Sequence, residues 1–108
     1  MVHASVTEET LVGEPLPTIE YEVPEGQTYF FMGNDGIGEI ACSGDTVVVR
    51  PCIDARDGKN DQTIYPGEGT SLYVNRRTRM GNGLARLTIE CRQGDPEPAD
   101  GSTQTRIY

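Results

Sequence analysis

No lysine or arginine occurs before Arg50, tryptophan is absent, and His3 and Lys59 are the sole histidine and lysine of the chain. Each shortage removes a class of function. A chain of net charge −8 is repelled by phosphates, because affinity for nucleic acid rests on cations that displace counterions. Anionic membranes are disfavoured for the same reason. One imidazole, three residues from the N-terminus, leaves a Ser–His or Cys–His pair without a well-placed base. No glycine-rich phosphate-cradling motif is present. The first residues, Met1-Val2-His3-Ala4-Ser5, carry neither a basic n-region nor an apolar h-region, and no apolar run is long enough to span a bilayer. The expectations are therefore a protein that is not an enzyme, has no cofactor, binds neither nucleic acid nor membrane, and is made in a cytoplasm.

Cysteine is also scarce. Cys42, Cys52 and Cys91 are an odd number, which fits reduced thiols better than a disulfide framework. Their spacing is not that of a zinc site. Cys42 and Cys91 fall on inferred core faces, so an inter-sheet disulfide is conceivable, but buried free thiols acting as small hydrophobes fit the compartment better.

What the chain does contain is charge asymmetry and turn residues. Nine carboxylates precede residue 46, against no cation. From residue 46 onward eight acidic residues face all nine cations. This split suggests a surface that prefers a basic partner, including the arginine-rich end of another copy, and it is equally the style of a salt-adapted surface. A length of 108 residues corresponds to one domain with a single modest core. The 13 glycines and 7 prolines divide it into short segments.

Those segments read as strands. Residues 1–17 form an N-terminal arm: Val2, Ala4 and Val6 alternate with polar residues, and Gly13, Pro15 and Pro17 stiffen the exit. The same pattern suits an edge strand of the domain itself. Residues 18–92 form the sandwich domain. Ile19, Tyr21 and Val23 alternate inward with Glu20 and Glu22 outward. Thr28-Tyr29-Phe30-Phe31-Met32 is apolar throughout and predicts a strand covered on both faces. Residues 37–43 and 46–51 predict a hairpin in which Ser43 opposes Thr46, Cys42 opposes Val47 and Ile40 opposes Val49, with Pro51 ending the ladder. A polar loop, a short strand at 62–65 and a strand at 71–75 follow. Residues 76–83 read as a basic loop, and residues 84–92 as a strand with Leu87, Ile89 and Cys91 inward. Residues 93–102 are linker-like, and residues 103–108 could form a last strand. About eight short strands at roughly ten-residue spacing predict an all-β, antiparallel β-sandwich, immunoglobulin-like or jelly-roll-like.

Few clusters could carry chemistry. Arg76, Arg77 and Arg79 concentrate positive charge, and arginine forks bind carboxylates through paired hydrogen bonds. Together with Glu8, Glu9, Glu14, Glu20 and Glu22 they are the interface candidates. The alternative is that they pair within the chain or stay solvated. Asp54, Asp57 and Asp61 cluster around Gly58 as oxygen ligands, but the calcium-loop spacing fails at Ala55. Tyr29, Tyr65 and Tyr73 could line a sugar-binding platform.

With its arm at residues 1–17, its glycine- and proline-punctuated sandwich, its Pro24-Glu25-Gly26-Gln27 and Pro66-Gly67-Glu68-Gly69 turns and its Arg106-Ile107-Tyr108 end, the chain resembles the small β-sandwich accessory proteins of tailed-phage virions, capsid decoration or cement proteins above all. The resemblance is architectural. It implies a non-catalytic subunit, often a trimer, located in the virion, whose partners are copies of itself and the major capsid or another virion protein, with the arm adding a strand to a neighbour. The alternative reading is a small immunoglobulin-like or carbohydrate-binding module.

Overall fold

The computed structural model describes residues 1–33, 36–51, 61–78 and 81–94. Eight strands follow one another with no helix among the described residues: β1 (Val2–Val12), β2 (Ile19–Val23), β3 (Thr28–Gly33), β4 (Gly36–Ser43), β5 (Thr46–Arg50), β6 (Gln62–Ile64), β7 (Gly69–Thr78) and β8 (Gly81–Gln93). They form two four-stranded antiparallel sheets, ordered β2-β1-β8-β7 and β3-β4-β5-β6. The first, sheet A, joins the N-terminal strands to the last hairpin. The second, sheet B, is a meander.

The chain changes sheet twice, each time at a Pro/Gly turn. Gln27 N donates to Pro24 O at 3.1 Å, with Gly26 at φ 84°. Glu68 N donates to Tyr65 O at 2.9 Å, with Gly67 at φ 87°. Both turns place glycine at the third position, where a type II turn demands positive φ.

The core lies between the sheets. Sheet A contributes Val2, Ala4, Val6, Val23, Val74, Ala85, Leu87, Ile89 and Cys91. Sheet B contributes Tyr29, Phe31, Ile40, Cys42, Val47, Val49 and Ile64. The strict alternation of buried and half-buried residues along β4, β5 and β8 is the period-2 signature of strands packed on one face. The β4–β5 register is as expected from the sequence: Ser43 pairs Thr46, Cys42 pairs Val47, Ile40 pairs Val49, and the strand ends at Arg50, before Pro51.

Three expectations change. Residues 1–17 do not form a separate arm. Val2–Val12 lies inside sheet A, paired to β2 on one side and β8 on the other. The sequence pattern that suited a strand of the domain itself is the one realised, at an interior rather than an edge position. The basic loop at 76–83 is largely ladder, since Arg76 pairs Gly83 and Arg77 pairs Asn82. Charge suggested a loop, yet Leu72, Val74 and Arg76 keep one inward phase, and a buried carboxylate receives the arginine. Finally, β3 is covered on one face: Tyr29 and Phe31 are buried, whereas Phe30 and Met32 remain half-exposed on the other side. Cys52, the residues expected as a linker from 95 onward and the expected last strand lie outside the described residues.

Candidate functional site

The interface candidates divide into buried and exposed sets. Glu8 and Arg76, 2% and 5% exposed, meet each other inside the domain, with Arg76 Nε 3.5 Å from Glu8 Oε1. Arg76 Nη1 also donates to Thr10 Oγ1, which accepts from Leu16 N at 3.4 Å. This cluster spans three strands. β8 lies between β7 and β1, and opposite Arg76 and Val74 it presents only Gly83 and Ala85. Those small residues leave the arginine room to cross to β1. Two of the side chains expected to reach another subunit are thus engaged within the chain. A desolvated pair of this kind is costly to break, whatever its net worth.

Glu9 points the other way. It accepts from Arg86 Nε at 2.8 Å on the outward face of sheet A, and this contact, first as a hydrogen bond and then by charge attraction, holds the Arg86 guanidinium above its ordinary pKa. Tyr73 is the rung partner of Arg86. Glu20 and Glu22 stand on the same outward face, opposite Thr7 and Ser5, and Glu22 Oε2 lies 3.1 Å from His3 Nε2. Glu14 is half-buried in the β1–β2 connection. Arg77 is placed by its pairing with Asn82, and Arg79 lies outside the described residues.

His3 is held in β1 with 8% exposure, and its Nδ1 lies 2.6 Å from Gly94 O. A carbonyl only accepts, so Nδ1 carries the proton of that bond. Asp54 and Asp57 fall outside the described residues, while Asp61 accepts from Arg50 Nε at 3.2 Å. Tyr29 is a core residue and packs against Tyr21 with ring centroids 5.2 Å apart. Tyr65 and Tyr73 are exposed.

Cys42 and Cys91 are free and buried. Cys42 Sγ donates to Val23 O at 3.0 Å, and burial pushes its pKa up to about 11. Burial raises Cys91 as well. Both thiols are protonated and unreactive at neutral pH.

The two outward faces differ in chemistry. Sheet A shows hydroxyls and charges: Ser5, Thr7 and Thr88 at its centre and Ser71 on the outer strand β7, with Glu20, Glu22, Glu90 and Arg92 around them. Sheet B shows Phe30, Met32, Ile37, Ala41 and Val48, all half-exposed. Thr28, Thr46 and Thr63 share that side, and among the described residues one cluster of three charges crosses it. Arg50 Nη1 lies 3.1 Å from Glu39 Oε1, and its Nε binds Asp61. The sequence signal for this face was present in Thr28–Met32, whose apolar residues on both sides call for cover on both sides. The described residues provide one covering layer, sheet A, on the inner side. Searches of family models, curated proteins and solved structures returned no match to the chain.

Proposed function

We propose that this chain is a non-enzymatic structural subunit that assembles with copies of itself through the outward face of sheet B. The observation that carries the reading is that face, in which Phe30, Met32, Ile37, Ala41 and Val48 share one side of β3, β4 and β5. Apolar side chains gathered on one outward face, flanking the Glu39–Arg50 rung, support an interaction site, and removing them from water is the main driving force of association.

Charge selects a second copy as the occupant. Two molecules of −8 repel each other, least where charge is locally balanced. Sheet B's outward face offsets Glu39 and Asp61 with Arg50, whereas sheet A's sets four carboxylates, Glu9, Glu20, Glu22 and Glu90, against Arg86 and Arg92. A capsid decoration or cement protein, or another virion accessory subunit, is the concrete form of this function that the sequence resemblance suggests. Arm exchange and Glu8–Arg76 contacts between subunits have no part in it.

The test is native mass by light scattering after size exclusion, for wild type and Ile37→Lys, at low and high salt under reducing conditions. A discrete oligomer that persists at high salt, where screening weakens the repulsion, and that reverts to monomer with Ile37→Lys is expected. A wild-type monomer at every salt overturns the reading.

A further inference from the structure

Sheet A's outward face carries a second feature that assembly through sheet B leaves free. A cleft of about 700 Å³ opens where the β6–β7 turn meets the end of β8, lined by Glu68, Gly69, Ser71, Thr88, Glu90 and Arg92 among others. Gly69 pairs with Glu90 and Ser71 with Thr88, so its floor is two adjacent rungs whose side chains on β7 are absent or short. Across β8 the same rungs continue into Ser5 and Thr7 of β1, then Glu22 and Glu20 of β2. The result is a flat strip of hydroxyls with carboxylates at its margins.

Tyr73 stands one outward position beyond Ser71 on β7 and is 56% exposed. Its rung partner Arg86 is itself held by Glu9. The ring therefore stands exposed beside an anchored guanidinium. Tyrosine supplies a large apolar face with few rotatable bonds to immobilise. From Tyr73 to Gly69 the strand covers roughly 13 Å at about 3.3 Å per residue. At the far end Arg92 Nη2 binds Glu90 Oε2 at 2.9 Å, which presents donors and acceptors side by side.

We infer that this face binds a neutral glycan chain, with one sugar ring stacked on Tyr73 and the next seated over Ser71, Thr88 and Glu90. A pyranose offers both kinds of contact. Its C–H edges carry partial positive charge and meet the negative ring face of tyrosine. Its hydroxyls donate to carboxylates and exchange with serine and threonine, replacing ordered water. The flat floor accepts a flat ring, and the few placed polar groups set its orientation. The charge of the face excludes acidic glycans: Glu9, Glu20, Glu22, Glu68 and Glu90 surround the strip, and Arg86 and Arg92 are both paired. Uronate or sulfate groups would meet like charge.

The experiment is affinity electrophoresis in native gels containing xylan, glucomannan, mixed-linkage β-glucan, galactomannan, laminarin or polygalacturonate. It uses wild type, Tyr73→Ala, Ser71→Arg and Ile37→Lys. Retardation by at least one neutral polysaccharide, reduced at least tenfold by Tyr73→Ala and by Ser71→Arg and kept by Ile37→Lys, is expected. All three substitutions sit at solvent-facing positions, and melting curves confirm that each variant folds. No retardation by any neutral polysaccharide, retardation by polygalacturonate alone, or full retention in Tyr73→Ala overturns the inference. Because Ile37→Lys alters the other sheet, loss of self-assembly and loss of glycan binding are read separately.

Discussion

Arg76 on β7 reaches across β8 to place its Nε 3.5 Å from the Glu8 carboxylate of β1, and both side chains are almost fully buried. The pair ties the C-terminal hairpin to the N-terminal strand at one end of the sandwich. Removing either member leaves the other charge in a desolvated site. Glu8→Ala or Arg76→Ala is expected to cost about 3–5 kcal/mol. The double substitution Glu8→Leu with Arg76→Met is expected to recover most of that loss. Urea unfolding of the four proteins closes the cycle. Additive losses would show that the two side chains do not act together.

Deleting residues 1–12 tests the position of β1. The deletion removes Val2, Ala4 and Val6 from the core and strips the ladders from both β2 and β8. The expected product shows no cooperative thermal transition by circular dichroism. A folded, cooperatively melting product would mean that these residues are a detachable arm after all.

Gly38 lies directly under the ring of its rung partner Phe31, and a methyl group there would overlap the ring. Gly38→Ala is expected to cost about 1–3 kcal/mol, the usual penalty for overpacking a filled core. Adding Phe31→Leu to Gly38→Ala should be less harmful than the sum of the two single changes, as melting temperatures would show.

The buried thiols set an alkaline limit. Cys42 stays protonated up to about 11 when folded, while an exposed cysteine ionises near 8.5. Between those values the unfolded chain has lost a proton that the native state keeps, so stability falls as pH rises. The stabilisation is complete below about 8.5 and lost on approach to 11, a slope worth roughly 2–3 kcal/mol. Urea unfolding from pH 8 to 10.5 checks this, and Cys42→Ala should flatten the profile.

Much of this architecture was legible along the chain, because period-2 burial and turn chemistry are local. Ile40, Cys42, Val47 and Val49 had to share a face whatever the rest of the fold, and the residues between them had to face away. The Ser43–Thr46 closure and the stop at Pro51 follow from backbone hydrogen bonding alone. Pro24-Glu25-Gly26 and Pro66-Gly67-Glu68 marked turns for the same reason.

What only the tertiary structure decided concerns partners distant in sequence. Glu8 continues the inward phase of Val2, Ala4 and Val6, and Arg76 that of Leu72 and Val74. Each looked like a solvated charge until β8 brought β1 and β7 to either side of Gly83 and Ala85. The same pairing made β1 an interior strand, since nothing local distinguishes an arm from a strand whose second neighbour lies some 80 residues away. It also gathered Ser5, Thr7, Ser71, Tyr73 and Thr88 onto one outward face. Alternation along a strand determines which residues share a face. Only the assembled sheets determine what that face meets, because burial and charge pairing depend on strands that the sequence keeps apart.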